Sequence, residues 1–345
     1  MTSTGSAIRH LVSRGFWEGL RCLGVPKGQI YRLTGKSKLT PQQRRLLWLM
    51  RCDNAASAGP FRASEFWSQL NKTFDDLLEI EGLSGIESLA INRYFSGHSP
   101  SRPLEHASWL LYNNLKTRDR LHILDKVPAS VDKESGLGYL FEGNFVSWDL
   151  LISVDALYAI AEIDDSILTK PVTVLDLGGG WGRIGYVLKS VNPKCVYITC
   201  DLPESLFISS SYLPRLLQDT RAFHYIENRK VKTFSRESLL CEGGIRFCGT
   251  QDLLRFADKS LDFFINIASF QEMTPEQVDQ YFDIIDSKVN GILYIQEYWS
   301  GLQMGHTKRE ISGYQSYPFR PHWKCNYVRN VSFSSTYFEA AFTLR

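Results

Sequence analysis

Residues 174–185 read VLDLGGGWGRIG, with Gly178, Gly179, Gly180 and Gly182 falling within five positions directly after an apolar run. A glycine cluster of this density weakens packing and costs chain entropy unless the backbone must turn sharply or admit a close neighbour. The run before it is β-rich and the stretch from Trp181 to Val191 is compatible with a helix. The segment therefore predicts a buried strand, a tight turn, and a helix whose N-terminus faces whatever the turn admits. The chain that follows agrees. Short apolar runs at 195–200, 245–248, 261–267 and 291–297 are separated by helical stretches, which predicts a parallel sheet covered by helices on both faces. Residues 327–333 and 337–344, around Ser334-Ser335, predict an antiparallel pair closing one edge.

The chain before residue 165 has a different texture. Thr40-Pro41 supplies an N-cap and a first-turn proline for a helix over 42–52, Ser64 can cap another over 65–81, and 103–124 and 146–163 continue the helical pattern, with a loop at Ser135 to Gly138. Two regions follow: a mainly helical one, 1–165, for acceptor binding or oligomer contact, and an α/β domain, 166–345. With 43% hydrophobic and 22% charged residues, the 345-residue chain reads as globular, and disordered or fibrous classes are excluded. No apolar stretch approaches the roughly 18 residues of a membrane span, and the start lacks a signal-peptide core. The seven cysteines are odd in number and form no C-x-x-C, so neither a disulfide framework nor a cysteine-rich zinc site is expected, and the expected compartment is the cytoplasm.

The net charge of +2 conceals an asymmetry, since residues 1–60 carry ten Lys or Arg against only Glu18 and Asp53. Within that arm Ile8, Leu11, Val12, Phe16, Leu20 and Leu23 recur at near-helical spacing, which predicts a basic amphipathic helix. Peripheral contact with an anionic membrane surface is one reading. The commoner one is packing on the protein itself or on the second subunit of a homodimer. No nucleic-acid partner is expected, because no binding module or basic aromatic stripe is present.

Two templates fit the glycine segment. As G-x-G-x-x-G, Gly180, Gly182 and Gly185 match a dinucleotide fingerprint, with Asp201 at the distance of a ribose-binding acid, which would make the chain an NAD-dependent oxidoreductase. As D-x-G-x-G-x-G, Asp176, Gly178, Gly180 and Gly182 match the first motif of class I S-adenosylmethionine methyltransferases. The second is preferred. An acid at the mouth of the first strand suits a ligand bearing an ammonium and a sulfonium, and would repel a pyrophosphate. Asp201 and Leu202 close the second strand, where the carboxylate can accept from ribose hydroxyls, and Gln251 and Asp252 after the third strand could edge an adenine ring.

Three stretches, GGGWGR, CDLPES and the Asn266, Ser269, Phe270, Gln271, Glu272, Met273 pattern in FFINIASFQEM, together resemble the family of sugar O-methyltransferases within class I, over about residues 140–300. The resemblance implies an α/β fold: a Rossmann-like class I methyltransferase sheet, mostly parallel, with an antiparallel C-terminal hairpin, preceded by a mainly helical region. It also implies S-adenosylmethionine as cofactor and a sugar or glycan hydroxyl as acceptor. A scaffold that binds S-adenosylmethionine without catalysis is the non-enzymatic alternative.

A sugar hydroxyl is a poor nucleophile until its proton leaves, so a general base is expected on the loops after the fourth and fifth strands. Glu272 is the first candidate, with His306 and His322 as the others because imidazole titrates near neutrality. Arg183, next to the turn, and Asn266 are candidates for cofactor contact. Gln271, Glu297, Tyr298 and Trp299 are candidates for substrate contact, with Trp299, Tyr314, Tyr317 and Trp323 as an aromatic platform beneath a sugar ring. No compact carboxylate cluster is present, so no metal is expected.

Overall fold

A computed structural model describes residues 37–90, 101–127, 138–300 and 313–344. The basic amphipathic helix expected over 8–23 and the candidate base His306 lie outside the described residues. Helix α1 (Pro41–Ala56) begins as expected at Thr40, whose hydroxyl accepts from the Gln43 amide while the Gln43 side chain accepts from the Thr40 amide. Helix α2 (Glu65–Ala90) is broken at Gly82, where φ is 71°. Residues 103–124 do not form one helix. Helix α3 (Arg102–Arg118) stops before Asp119, whose carboxylate takes the Ile123 and Leu124 amides and starts a short helix, Ile123–Lys126. A short acidic side chain competes here with the helix's own carbonyls.

Strands β1 (Tyr139–Phe141) and β2 (Asn144–Val146) form a hairpin that periodicity did not foretell. Its two-residue turn holds Glu142 and Gly143 both at positive φ, the geometry that matches strand twist but is more often signalled by Asn-Gly. Helix α4 (Trp148–Ala161) follows, capped by Ser147.

The eight-stranded sheet comprises β3 (Thr173–Leu177), β4 (Val196–Asp201), β5 (Ala222–Phe223), β6 (Ile245–Gly249), β7 (Leu261–Ile267), β8 (Val289–Tyr298), β9 (Lys324–Val331) and β10 (Ser334–Thr343), in the order β5-β6-β4-β3-β7-β8-β10-β9. All neighbours from β5 to β8 are parallel, whereas β10 runs antiparallel to both β8 and β9. This is the Rossmann-like sheet expected from the sequence, mostly parallel with an antiparallel C-terminal hairpin, and with the short β5 added at one edge. Helices α5 (Arg183–Val191), α6 (Pro203–Leu216) and α7 (Pro275–Lys288) are among the crossovers that cover it.

Alternation along each strand feeds two cores. Val174, Tyr197, Phe263 and Tyr294 point to the face covered by α4, α5 and α6, while Leu175, Ile198, Phe264 and Leu293 meet Val278 and Phe282 of α7. Leu47, Phe74 and Leu115 of the helical region belong to the first core, so the boundary near residue 165 divides the sequence and not the apolar interior. Tyr317 and Trp323 are buried in the second core, and Trp299 and Tyr314 pack against it. Tyr317 and Trp323 are therefore interior packing and not part of the aromatic platform expected of these four. No described helix is long and apolar enough to cross a membrane.

Chain order reverses at β3, from which successive crossovers run first toward β4 and later toward β7. Ligands of doubly wound sheets bind outside the carboxyl ends of strands at such a switch point. The helical region lies across these ends. Arg51 pairs with Glu204 just after β4 at 2.8 Å, and Asp53 binds Tyr225 and Arg229 after β5. Asn54 donates to Thr250 after β6, and Gln277 of α7 donates to the carbonyls of Pro60 and Arg62.

Candidate functional site

At the tip of β3 the chain turns through Gly178 (φ 72°), Gly180 (φ 57°) and Gly182 (φ 92°) into α5. A Cβ on Gly178 would lie 2.2 Å from Ser269 Oγ, so the loops after β3 and β7 touch only because that side chain is missing. Three amides fasten the turn: Gly178 donates to the Cys200 carbonyl at 2.8 Å, Gly180 to Asp201 Oδ2 at 2.8 Å, and Gly182 to the Gly179 carbonyl at 2.9 Å. Farther along, Gly185 lets α5 lie directly against the Tyr197 ring, where a Cβ would meet Cε1 at 2.2 Å. Across the gap, Ala268 sits at a positive φ of 54°, an uncommon conformation for a non-glycine residue and one that clusters at binding sites.

Asp176 is buried under the turn, with its Oδ2 accepting from the Tyr197 hydroxyl at 2.5 Å. Burial pushes its carboxyl up to about 7 against the effect of that hydrogen bond. Asp201 takes the Gly180 amide on one oxygen and the Leu202 amide on the other, at 2.8 and 2.7 Å. Burial again dominates and raises it to about 7, opposed by the two amides and assisted by the charges of Asp176 and Glu204. Glu272, half-buried on the loop after β7, has its carboxyl deep among protein atoms and is raised to about 8; the Trp67 indole opposes the shift and Asp201 adds to it. Asp201 thus lies within electrostatic reach of both Asp176 and Glu272, and burial denies each of the three carboxyls the water that would stabilise its charge.

Other expected site residues serve the scaffold. Asp252 accepts from the Gly249 amide and pairs with Arg255 at 2.6 Å, which caps the turn after β6 and does not present an acid to a ligand. Asn266, fully buried, donates to the Leu177 carbonyl at 2.8 Å and accepts from the Phe270 amide at 3.0 Å, tying β7 to β3 with both ends of its amide used. Glu297 accepts the amides of Ser269, Phe270 and Gln271 at 3.1–3.2 Å, and burial holds its carboxyl well above the usual range. It is the clamp that shapes the loop after β7, not a group offered to substrate. Gln271 accepts the Tyr298 amide at 2.9 Å for the same purpose, and the Trp299 indole donates to Asn330 at 2.6 Å.

Arg183 is buried with its guanidinium 4.2 Å from the Trp181 ring centroid. Leu202 is half-buried beside Asp201, and Gln251 donates to the Tyr225 hydroxyl while its Oε1 is buried without a hydrogen-bond partner. His322 is excluded from the site. It is exposed and bonded at 2.7 Å to Asp286, near the end of α7 that leads into the start of β8, so it lies at the opposite end of the sheet from the glycine turn. Among the described residues no group of three or more His, Cys, Asp or Glu side chains could hold a metal ion.

Two features escaped the sequence reading. Trp67 of α2 donates its indole N–H to Glu272 Oε2 at 2.6 Å across 205 positions of chain, a pairing without any local sequence signal. The second is a run of half-buried rings: Trp148 packs edge-on to Phe333 (5.4 Å between centroids), Phe333 neighbours Tyr337 (6.3 Å), and Tyr337 lies on Tyr298 (4.0 Å). The Tyr337 phenol is close enough to Glu272 and Glu297 to feel both charges. Strand alternation could have placed Tyr298 and Tyr337 on one face, since they pair directly across β8 and β10.

No family model matches the chain, and no curated protein matches it. Solved structures similar to it include the PH0226 protein of Pyrococcus horikoshii OT3, 14% identical, with 58% of this chain and 92% of that one covered and a TM-score of 0.40. A SAM-dependent methyltransferase of Aquifex aeolicus is 15% identical over 55% of this chain and 88% of its own, with a TM-score of 0.34. The geranyl diphosphate C-methyltransferase of Streptomyces coelicolor A3(2) is 11% identical over 56% and 80%, with a TM-score of 0.37. Likeness at this level assigns no activity, and the functional reading rests on the geometry of the site.

Proposed function

We propose that the protein is an S-adenosylmethionine-dependent O-methyltransferase acting on a sugar hydroxyl. One observation carries the donor assignment: three carboxyls, Asp176, Asp201 and Glu272, are raised to about 7, 7 and 8 around a glycine turn at the switch point. A site that strains to keep negative charge is relieved by a ligand bearing an ammonium and a sulfonium. A pyrophosphate in the same place would raise those carboxyls further, which argues against the dinucleotide alternative. The unpartnered Gln251 Oε1 fits an exocyclic amino group at the adenine edge, and Asp201 retains lone pairs for ribose hydroxyls beside the two amides it holds.

Bound there, the donor supplies a methyl group already activated on sulfur. The chain's own residues position the acceptor and take its proton. Glu272 receives the hydroxyl proton as the oxygen–carbon bond forms and the carbon–sulfur bond breaks, so the products are a methyl ether, a neutral thioether and a protonated carboxyl. The ring run from Trp148 to Tyr298 supports a sugar acceptor, because half-buried aromatic faces with two phenol edges match a ring with apolar faces and a hydroxylated rim.

Calorimetry with S-adenosylmethionine and with NAD tests the donor, with heat expected from the first alone; the reverse outcome refutes the assignment. Tritiated methyl transfer to a panel of methyl glycosides tests the acceptor. It should be abolished in Glu272→Gln while donor binding survives, and full turnover by that variant would remove Glu272 from the chemistry.

A further inference from the structure

We infer that Trp67, contributed by the helical region, is a positioning residue for Glu272: its indole N–H pins Oε2 and leaves Oε1 as the oxygen that takes the acceptor's proton. The inference rests on the methyltransferase reading above and deepens it at the base.

The geometry is specific. The donor–acceptor distance is 2.6 Å, at the short end for an N–H···O contact. An indole nitrogen can only donate, so this contact favours a carboxylate that keeps its charge over a neutral acid rotated either way. Trp67 is itself fixed. It stands near the start of α2, where its own amide donates to Ser64 Oγ at 3.3 Å, and its ring stacks on the buried Phe74 with centroids 6.2 Å apart. The other end of the base is fixed as well, because Glu272 closes the short turn Phe270–Glu272 that Glu297 clamps through three amides. A side chain held from both directions loses little entropy in the reactive geometry, which is what efficient proton transfer demands.

The charged and titratable groups that bear on Glu272 come from four places: Asp201 after β4, Glu297 on β8, Tyr337 on β10 and Trp67 on α2. The charge of Glu272 raises Glu297 and Tyr337, and Asp201 in turn opposes ionisation of Glu272. Among these neighbours only the indole favours it. The helical region therefore completes the catalytic apparatus and does more than cover it.

The test uses the full chain labelled with [5-13C]glutamate, so that the Glu272 carboxyl resonance, identified by its loss in Glu272→Gln, reports ionisation without any acceptor. In the wild type the midpoint should fall near 8. Trp67→Phe keeps the stacked ring and removes the donor, and the midpoint should rise by about one unit, a roughly tenfold smaller ionised fraction at neutral pH. Trp67→His returns a ring N–H and should bring the midpoint back toward the wild-type value. An unmoved midpoint in Trp67→Phe, with circular dichroism unchanged, overturns the inference, as does an equal rise in the phenylalanine and histidine variants. If Trp67→Phe fails to fold, the histidine variant decides alone, with a wild-type midpoint supporting the inference and a raised one refuting it. Wild-type binding of S-adenosylmethionine is measured alongside: absence of heat refutes the donor reading, an outcome distinct from a failure of the Trp67–Glu272 coupling.

Discussion

Donor affinity should rise steeply with pH between 6 and 8. Asp201 ionises at about 7 in the free protein because burial outweighs the two amides it accepts. A cationic ligand favours the ionised form, so the bound state holds the carboxylate at lower pH than the free state does. For one such carboxyl that stays ionised in the complex, the binding constant at pH 8 exceeds that at pH 6 by about tenfold, or about 1.4 kcal/mol. Asp176 has the same midpoint and adds its own factor, giving roughly a hundredfold as the limit for two independent groups. Repulsion between them separates the two ionisations and keeps the observed ratio below that limit. The sign for stability is opposite. Each folded-state value lies above the ordinary aspartate value of 3.8, so the free protein loses stability as pH climbs from about 4 through 7. Calorimetry with S-adenosylmethionine at pH 6, 7 and 8, repeated in buffers of different ionisation enthalpy, measures both affinity and protons released. Asp201→Asn removes one titrating group and should flatten the profile toward the single-carboxyl slope. An affinity that is flat across this range, or tighter at pH 6, would refute the electrostatic argument for the donor.

Two further outcomes test the geometry. Gly178→Ala places a Cβ at positive φ and 2.2 Å from Ser269 Oγ, so it should destabilise the fold by about 1–3 kcal/mol, lower Tm in a thermal scan and abolish donor binding; wild-type affinity would show that the turn does not approach the ligand. His322→Ala should leave donor affinity within about twofold and Tm nearly unchanged, since an exposed histidine paired with Asp286 contributes at most a fraction of a kcal/mol, and a large loss of turnover would return His322 to the site.

Sequence alone determined the sheet and its glycine turn. Buried parallel strands must be apolar along their whole length, and a strand that runs into four glycines has few other local solutions, so β3, β4, β6, β7 and β8 were legible to within a residue or two. Local cues also gave the cap at Thr40, because an N-cap needs only its own first turn. The roles of single polar residues were decided by partners distant in the chain. Glu297 looked like a substrate ligand at a strand tip, yet three amides from the loop after β7 consume it. His322 carried the right chemistry at the wrong end of the sheet, which only the antiparallel course of β9 and β10 reveals. Trp67 carried no signal whatever, and its partner lies 205 positions away. Periodicity records which face a residue turns to its own element, whereas a buried polar group is assigned by whichever donors the tertiary fold brings within 3 Å of it.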